Sequence, residues 1–553
     1  MSACLAVAAM PNSLSAQGTL RRGVYSNSEL GFQLKVPAKW TQVPTQVDER
    51  WVVAQFQSDM RYEGHVKLDG PRCRHRPTMR VIKFDEAVSK DIASVGRDAD
   101  DAAVRTHKRP YRNYRDYVKR NSSKGGFYFS VEKPGAKLGK YSVDIYEVKV
   151  EKLSRNGRRH YIAYVFRGTG IDFAVEFDFL EYKFKKLKSS ALRCFRSFKL
   201  IPRTTGARQS SGIEDRITGT WLDPDWKNKS AAERRLLRRK IAELRARRAI
   251  AGLPRGWRVS ESKHFTILSN ASKKHTSRLV KSAETCRTWL DKRFGAMNDE
   301  YVSKGILRIC RNYDEFSVYR TRSSDAVSLN NREIATYENK NLGNGAAFGP
   351  LFYSLYTQFM AEKHNLLHSS TPYWLRSGME DYLRSARVRG SKIEFTSSTY
   401  VAKTFRLLRR SKVEPRTPRQ LMNLADSQFS KGNKKDPVIA HQLETFFRFI
   451  ESSRKQPKIL ESRGSDFVLD YLRESMKAAE EYETARKASK PSSTAAVTEA
   501  EEEERTRQRS GRIQKRRNAI CKAVNGALCG WSDTEWQSLD RAYRVYLKQQ
   551  KYL

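Results

Sequence analysis

A change of hydrophobic period along the chain restricts the fold more than any other feature. Phe32, Leu34 and Val36 alternate with Gln33 and Lys35 before Pro37 ends the run, the period-two pattern of a half-buried strand. Further strands are predicted at Trp51–Phe56 and Tyr141–Val150. His160–Phe166 and Ile171–Phe179 are separated by Arg167-Gly168-Thr169-Gly170, a loop that suits a hairpin. A short helix over Leu187–Arg193 and a closing strand complete a region spanning 25–203. Beyond it the period lengthens. After a strand at Phe265–Leu268, Leu279, Ala283, Cys286, Leu290 and Phe294 recur at helical spacing. Strands at Gly305–Cys310 and Glu333–Glu338 follow, then helices over 349–363, 372–386, 399–410, 437–453 and 465–479. The pattern predicts a multidomain α+β protein: an antiparallel α/β sandwich, then a small mixed sheet with a helical bundle at 259–478.

The remaining segments carry charge or punctuation. Residues 1–24 contain a short apolar core, Cys4–Met10, followed by small residues, which reads as a leader and predicts an exported protein, periplasmic or extracellular. No apolar run approaches the ~20 residues of a membrane span. Residues 204–258 read as a linker and a basic helix, 479–518 as a charged linker, and 519–553 as a helical segment entered through a Ser532/Glu535 capping box. Six cysteines fall two by two into the folded regions: Cys73 with Cys194, Cys286 with Cys310, and Cys521 with Cys529. That partition predicts structural disulfides in an oxidising compartment.

Lys plus Arg number 106 against 61 Asp plus Glu, a formal charge of +45 that favours acidic partners such as nucleic acid or an anionic glycan. Arg234, Arg235, Arg238, Arg239 and Lys240 on the helix Ala231–Ala249 are the candidate polyanion-binding residues, with the basic run at 505–517 as a second source. The same helix carries an apolar stripe, Leu236, Leu237, Ile241 and Leu244, and no interleaved aromatic residues to stack bases. Packing of that stripe on a neighbour is therefore the favoured expectation.

Two segments resemble known families. The "GFQLKVPAKW" opening and "FRSFKLI" close of 25–203 resemble the Mog1/PsbP-like α/β sandwich of exported bacterial proteins, which implies a binding or structural module. Trp374-Leu375-Arg376-Ser377-Gly378-Met379-Glu380-Asp381-Tyr382 is similar to the W-L-x-E-G-x-A-E-Y segment of gluzincin-like peptidase domains. The preceding helix Leu351–Met360 is similar to their HExxH helix. In that family two His one turn apart hold Zn²⁺, the Glu between them activates its water, and a Glu on the next helix completes the site. Carried onto this chain, the two His fall on Tyr353 and Thr357, the catalytic Glu on Ser354 and the ligand Glu on Ser377. None is an imidazole or a carboxylate, so the resemblance implies a fold without its zinc, and no cofactor is expected. Tyr353 is expected to fill the vacated space and to bond Ser377 or Glu380.

No HExxH and no G-x-S-x-G elbow occurs in the chain. His364 and His368 have the right spacing for a metal pair, with Glu362 or Glu380 within reach as a carboxylate ligand, but Asn365 stands where a base belongs. The expected function is a non-catalytic binding or scaffold protein with an unknown protein or polyanionic partner. The alternatives are a metallohydrolase with a rearranged site and a polyanion binder.

Overall fold

The protein is described as a computed structural model over residues 18–45, 51–65, 72–85, 111–122, 126–151, 158–203, 229–251, 253–254, 256–317, 327–329, 333–338, 349–364, 367, 371–396, 399–410, 412–424, 430–431, 434–435, 437–453, 466–488 and 509–550. The N-terminal half opens with β1 (Thr19–Arg21), β2 (Val24–Asn27), β3 (Phe32–Lys35), β4 (Trp40–Gln42), β5 (Val52–Ser58), β6 (Tyr62–His65), β7 (Arg72–His75) and β8 (Thr78–Asp85). It continues with α1 (Tyr114–Ser122), β9 (Phe127–Leu138), β10 (Tyr141–Val150), β11 (Arg159–Phe166), β12 (Ile171–Leu180), α2 (Phe184–Ser197) and β13 (Lys199–Leu200).

The strands form an antiparallel sheet in the order β4-β5-β8-β12-β11-β10-β9 and a smaller one in the order β1-β2-β3-β13. β12 shows why they stack. Phe173, Val175, Phe177 and Phe179 enter the core that the smaller sheet and α2 cover, through Phe32, Leu34, Ala191 and Phe195. Each such buried side chain contributes about 1.5–3 kcal/mol. The opposite face of β12 carries Ala174, which joins Tyr114, Tyr117 and Val118 of α1 in a second core. On that face Glu176 is buried, accepting from Tyr114 Oη at 2.7 Å and from Arg80 Nη1 at 3.0 Å. The large sheet is thus covered on both sides.

The C-terminal half begins with α3 (Ala231–Ala251), β14 (Arg258–Glu261), β15 (Phe265–Ser269), α4 (Lys273–Phe294), β16 (Gly305–Cys310), α5 (Tyr313–Ser317), β17 (Val327–Leu329) and β18 (Glu333–Tyr337). Then come α6 (Gly349–Lys363), α7 (Tyr373–Arg384), β19 (Ala386–Arg389), β20 (Lys392–Phe395) and α8 (Thr399–Arg410). The last helices are α9 (Pro418–Met422), α10 (Pro437–Ser453), α11 (Phe467–Ala488), α12 (Arg509–Leu528) and α13 (Asp533–Gln549). The sheet β14-β15-β16-β18-β17 is mixed, with β15, β16 and β18 parallel. The expected face of α4, from Leu279 to Phe294, is buried against it. One apolar core runs from Phe265 on the sheet through α6, α7 and α10 to Leu547 of α13. The halves touch where Arg76 Nη2 donates to Asp314 Oδ2 at 3.1 Å.

Several expectations change. β1 lies inside the stretch read as leader and pairs with β2. Helices α11 and α12 enter both ends of the 479–518 stretch, and the tail shares the main core through Ile520, Trp536, Leu539 and Tyr543. The Ser532/Glu535 capping box is formed in both directions at the start of α13.

The disulfide expectation is overturned. Cys194, Cys286 and Cys310 are free, buried thiols in three different apolar clusters. Cys194 Sγ lies 3.6 Å from Met79 Sδ. Burial pushes all three thiols well above their ordinary range. Cys521 and Cys529 sit eight positions apart along one helical stretch, about 12 Å on its axis, too far for an S–S bond. The Cys521 thiol instead points at the Met422 carbonyl, 3.5 Å away. The side chain of Cys73 lies outside the described residues. Neutral cysteines here act as small hydrophobes, and the even partition in the sequence reflects core composition. Alkylation of unfolded, unreduced protein, read by peptide mass mapping, should modify Cys194, Cys286 and Cys310 completely. A cystine-linked peptide containing any of them contradicts this packing.

Candidate functional site

The helices α6 and α7, which carry the four positions of interest, lie against each other. Gly349 at the start of α6 meets the end of α7: a Cβ there would stand 2.3 Å from the Arg384 carbonyl oxygen. Gly378 is equally confined, because a Cβ would come within 2.8 Å of Phe447 Cβ and 2.9 Å of the Leu443 carbonyl on α10. Trp374 is wholly buried, edge-on to Tyr471 at 5.1 Å and tilted against Phe446 at 5.6 Å. Tyr382 stacks on Phe395 at 3.9 Å. The Trp, Gly and Tyr of the segment therefore serve packing.

The four positions lead nowhere chemically. Ser354 Oγ donates to the Pro350 carbonyl at 2.9 Å, and Thr357 Oγ1 to the Tyr353 carbonyl at 2.9 Å, each one turn back on its own helix. Ser377 is buried, and its Oγ makes no hydrogen bond, so the expected Tyr353–Ser377 bond is absent. Glu380 is held by Arg384 Nη2 at 2.9 Å, one turn along α7. The Arg384 guanidinium lies over the Tyr353 ring at 5.7 Å. Burial, and then the Glu380 carboxylate, push the Tyr353 phenol up to about 12. It is protonated at any physiological pH and cannot act as a base. These side chains do not fit a zinc ion, since two hydroxyls are turned to backbone carbonyls and no carboxylate or imidazole stands among the four.

The alternative ligands are dispersed. His364 Nε2 meets Glu480 Oε1 of α11 at 3.1 Å, and the His364 amide closes the helix on the Met360 carbonyl. Glu362 points elsewhere, accepting from Ser303 Oγ at 2.8 Å. His368 and Asn365 lie outside the described residues. Among the described residues no three His, Cys, Asp or Glu side chains gather as metal ligands need.

The arginine helix α3 is docked onto the C-terminal half by a stripe that keeps Ile241 of the expected one and leaves Leu236 out, the side chain of Leu244 lying outside the described residues. Arg238, Ile241, Arg245 and Ala249 form the buried face, and Leu236 points outward at 55% exposure. Arg238, expected to meet polyanions, is enclosed. It donates from Nη1 to the Tyr301 carbonyl at 2.8 Å and pairs with Glu300 Oε2 at 3.2 Å and Glu362 Oε2 at 3.4 Å. Arg234 pairs with Glu300 Oε1 at 2.7 Å. Arg235 and Arg239 are exposed but lie over the Tyr301 ring at 5.2 and 5.4 Å, and Lys240 is exposed. The expected cluster is thus split between an internal ion network and a three-residue surface strip. Tyr301, the aromatic residue beneath Arg235 and Arg239, comes from a distant part of the sequence.

No family model matches the chain, and no curated protein matches it. Solved structures show likeness in the N-terminal part. The cyanobacterial PsbP protein (CyanoP) of Synechocystis sp. PCC 6803 is 16% identical, covering 35% of this chain and 98% of its own, with a TM-score of 0.21. LpqN of Mycobacterium tuberculosis, involved in cell envelope biogenesis, is 14% identical over 31% of this chain and 83% of its own, with a TM-score of 0.19. A Bacteroides thetaiotaomicron protein is 11% identical over 43% and 81%, also at 0.19. At such scores and identities these likenesses say nothing of chemistry or partners.

The placement of α3 is open to a direct check. Removing Arg238 leaves Glu362 buried without its cation, so Arg238→Ala should cost about 3 kcal/mol or more in urea unfolding. Arg239→Ala, which loses only an exposed cation–π contact, should cost less than about 1 kcal/mol. Equal costs for the two are incompatible with the buried network.

Proposed function

We propose that the protein is a non-catalytic binding or scaffold element, working outside the cytoplasm, whose C-terminal half is a pseudo-metallopeptidase and whose N-terminal half is a Mog1/PsbP-like sandwich. One observation carries the reading. The positions that correspond to the zinc ligands and the base hold Tyr353, Ser354, Thr357 and Ser377, with both α6 hydroxyls engaged to their own helix. Hydrolysis at neutral pH needs a nucleophilic water, hence a base or a metal that acidifies it. Burial keeps the Tyr353 phenol protonated, and Glu380 pairs with Arg384 one turn along its own helix. A chain that keeps the helix packing of a peptidase without those groups retains surfaces for binding and nothing to cleave with.

Reinstalling the missing ligands tests the alignment and the emptiness together. Purified wild-type protein, dialysed against a chelator and titrated with Zn²⁺, should take up no tightly held metal and leave a casein substrate intact. The variant Tyr353→His/Ser354→Glu/Thr357→His/Ser377→Glu should bind about one zinc per chain, because two imidazoles one turn apart on α6 and a carboxylate on the adjoining α7 form the ligand set of such a site. If the wild type retains one equivalent that Ala at His364 removes, the reading fails in favour of a rearranged metal site. If the quadruple variant folds but binds no zinc, the alignment of α6 and α7 with a peptidase fails.

A further inference from the structure

The exposed face of α8 differs from the basic surface of α3, because its charges are unspent. Val401, Thr404, Phe405 and Leu408 are buried on one side of the helix. The other side presents Lys403, Arg406, Arg409 and Arg410 to solvent, and Lys412 follows in a left-handed turn at φ 53°. Among the described residues no carboxylate pairs with any of these five. Arg406 Nε reaches only the Ala402 carbonyl, at 3.4 Å. The contrast with α3 is direct, since Arg234 and Arg238 there are neutralised by Glu300 and Glu362.

Two aliphatic side chains stand out of the same surface. Leu407 is 49% exposed and Val413 is 53% exposed, although nearby positions of the same amphipathic helix bury theirs almost completely. The Val413 amide bonds back to the Leu408 carbonyl at 2.9 Å, which holds that residue at the helix end, next to Lys412 in the chain. Solvated aliphatic groups ringed by unneutralised Lys and Arg match a boundary where anionic headgroups overlie hydrocarbon. They match a nucleic acid less well, because among the described side chains of α8 no exposed aromatic ring lies among the cations to stack a base; the side chain of Tyr400 lies outside the described residues. The inner face of α8 is fixed in the core, so it can meet a bilayer only at the surface, and no helix among the described residues is long and apolar enough to cross one.

We propose that α8 and its C-terminal turn form a peripheral docking face for anionic lipid, with Lys403, Arg406, Arg409, Arg410 and Lys412 facing headgroups and Leu407 and Val413 entering the interface. The site is remote in kind from the α6–α7 positions and does not depend on whether those are catalytic. It names a partner chemistry for five exposed cations that meet no carboxylate among the described residues.

The test is cosedimentation of the full chain with vesicles of phosphatidylcholine containing about one-third phosphatidylglycerol, and with phosphatidylcholine alone, at ~0.1 M salt. Binding to the anionic vesicles only is expected. Leu407→Ser/Val413→Ser should weaken it several-fold. Lys403→Ser/Arg406→Ser/Arg410→Ser should weaken it by about a hundredfold, roughly fivefold for each cation near the surface. Lys133→Ser/Lys137→Ser/Lys186→Ser, which removes the same charge from exposed positions of the N-terminal half, should leave it within about twofold. All these replacements are of exposed side chains, and unchanged thermal melting verifies the fold. Equal loss in the control triple reduces the effect to net charge and overturns the proposal. So does indifference to the aliphatic pair, or tight binding of single-stranded DNA or heparin through α8 without vesicle binding.

Discussion

Enclosure of α6 is the condition on which the C-terminal half rests. Leu351, Phe352, Leu355, Tyr356, Phe359 and Met360 are buried on different sides of it, so the helix has no face for solvent. Such a helix tolerates charge only where a partner is built in. Its two charged residues come at the end, and both are provided for. Glu362 receives Ser303 and Arg238, while Lys363 donates from Nζ to the Gly295 carbonyl at 2.8 Å and the Asn298 carbonyl at 2.9 Å. Burial holds that amine below its ordinary range, and the two carbonyls supply the hydrogen bonds it loses to desolvation. The docking of α3, the turn after α4 and the end of α6 are therefore one arrangement.

The same logic extends to charge across the molecule. Several arginines are drawn inside to meet carboxylates: Arg293 with Glu451 and Asp466, Arg308 with Glu333, Arg448 with Glu444, Arg159 with Asp178. A guanidinium suits these places because its fork satisfies several acceptors and it is more weakly hydrated than an ammonium. Arg293 in particular links α4 to α10 and to the start of α11, elements far apart in sequence. Breaking such a pair strands a charge, so these contacts fix which elements may adjoin even where they add little net stability. In a chain with so few acids relative to bases, each carboxylate used internally is one fewer to neutralise the surface. The bare cations of α8 follow from that allocation.

Much of the architecture is legible because burial has a period. β3, β5, β10, β11 and β12, the face of α4 and the helices of the second half announce themselves by spacing. What stays hidden has specific causes. α1 buries only Tyr114, Tyr117, Val118 and Ser122 in a strongly charged stretch, too few to establish a helical stripe. β9 is an edge strand broken in character by Pro134 and Gly135, and half exposed along its length. The stripe of α3 escapes a local pattern in which leucines go in and arginines stay out. Arg238 and Arg245 are buried, and the acceptors that meet Arg238 come from distant segments, which no local pattern reveals. The cysteines mislead for a related reason, since an even count per region is equally well produced by thiols used as small apolar fillers.

The anchor segment on α7 shows how far a motif can be trusted. Trp374, Gly378 and Tyr382 are the residues that make it recognisable, and all three serve packing. The indole of Trp374 sits between α10 and α11, Gly378 lets α10 approach, and the phenol of Tyr382 stacks under the β19–β20 hairpin. These constraints hold whether or not a metal is present, because a Cβ at position 378 would collide with Phe447 in either case. The chemical position between them, Ser377, answers to none of those contacts. The packing of α7 is thus carried by side chains other than Ser377, and on α6 the hydroxyls of Ser354 and Thr357 satisfy themselves on their own backbone. A likeness read through the packing residues therefore reports a shape, and the identity of the few side chains that shape leaves unconstrained decides whether it can hydrolyse anything.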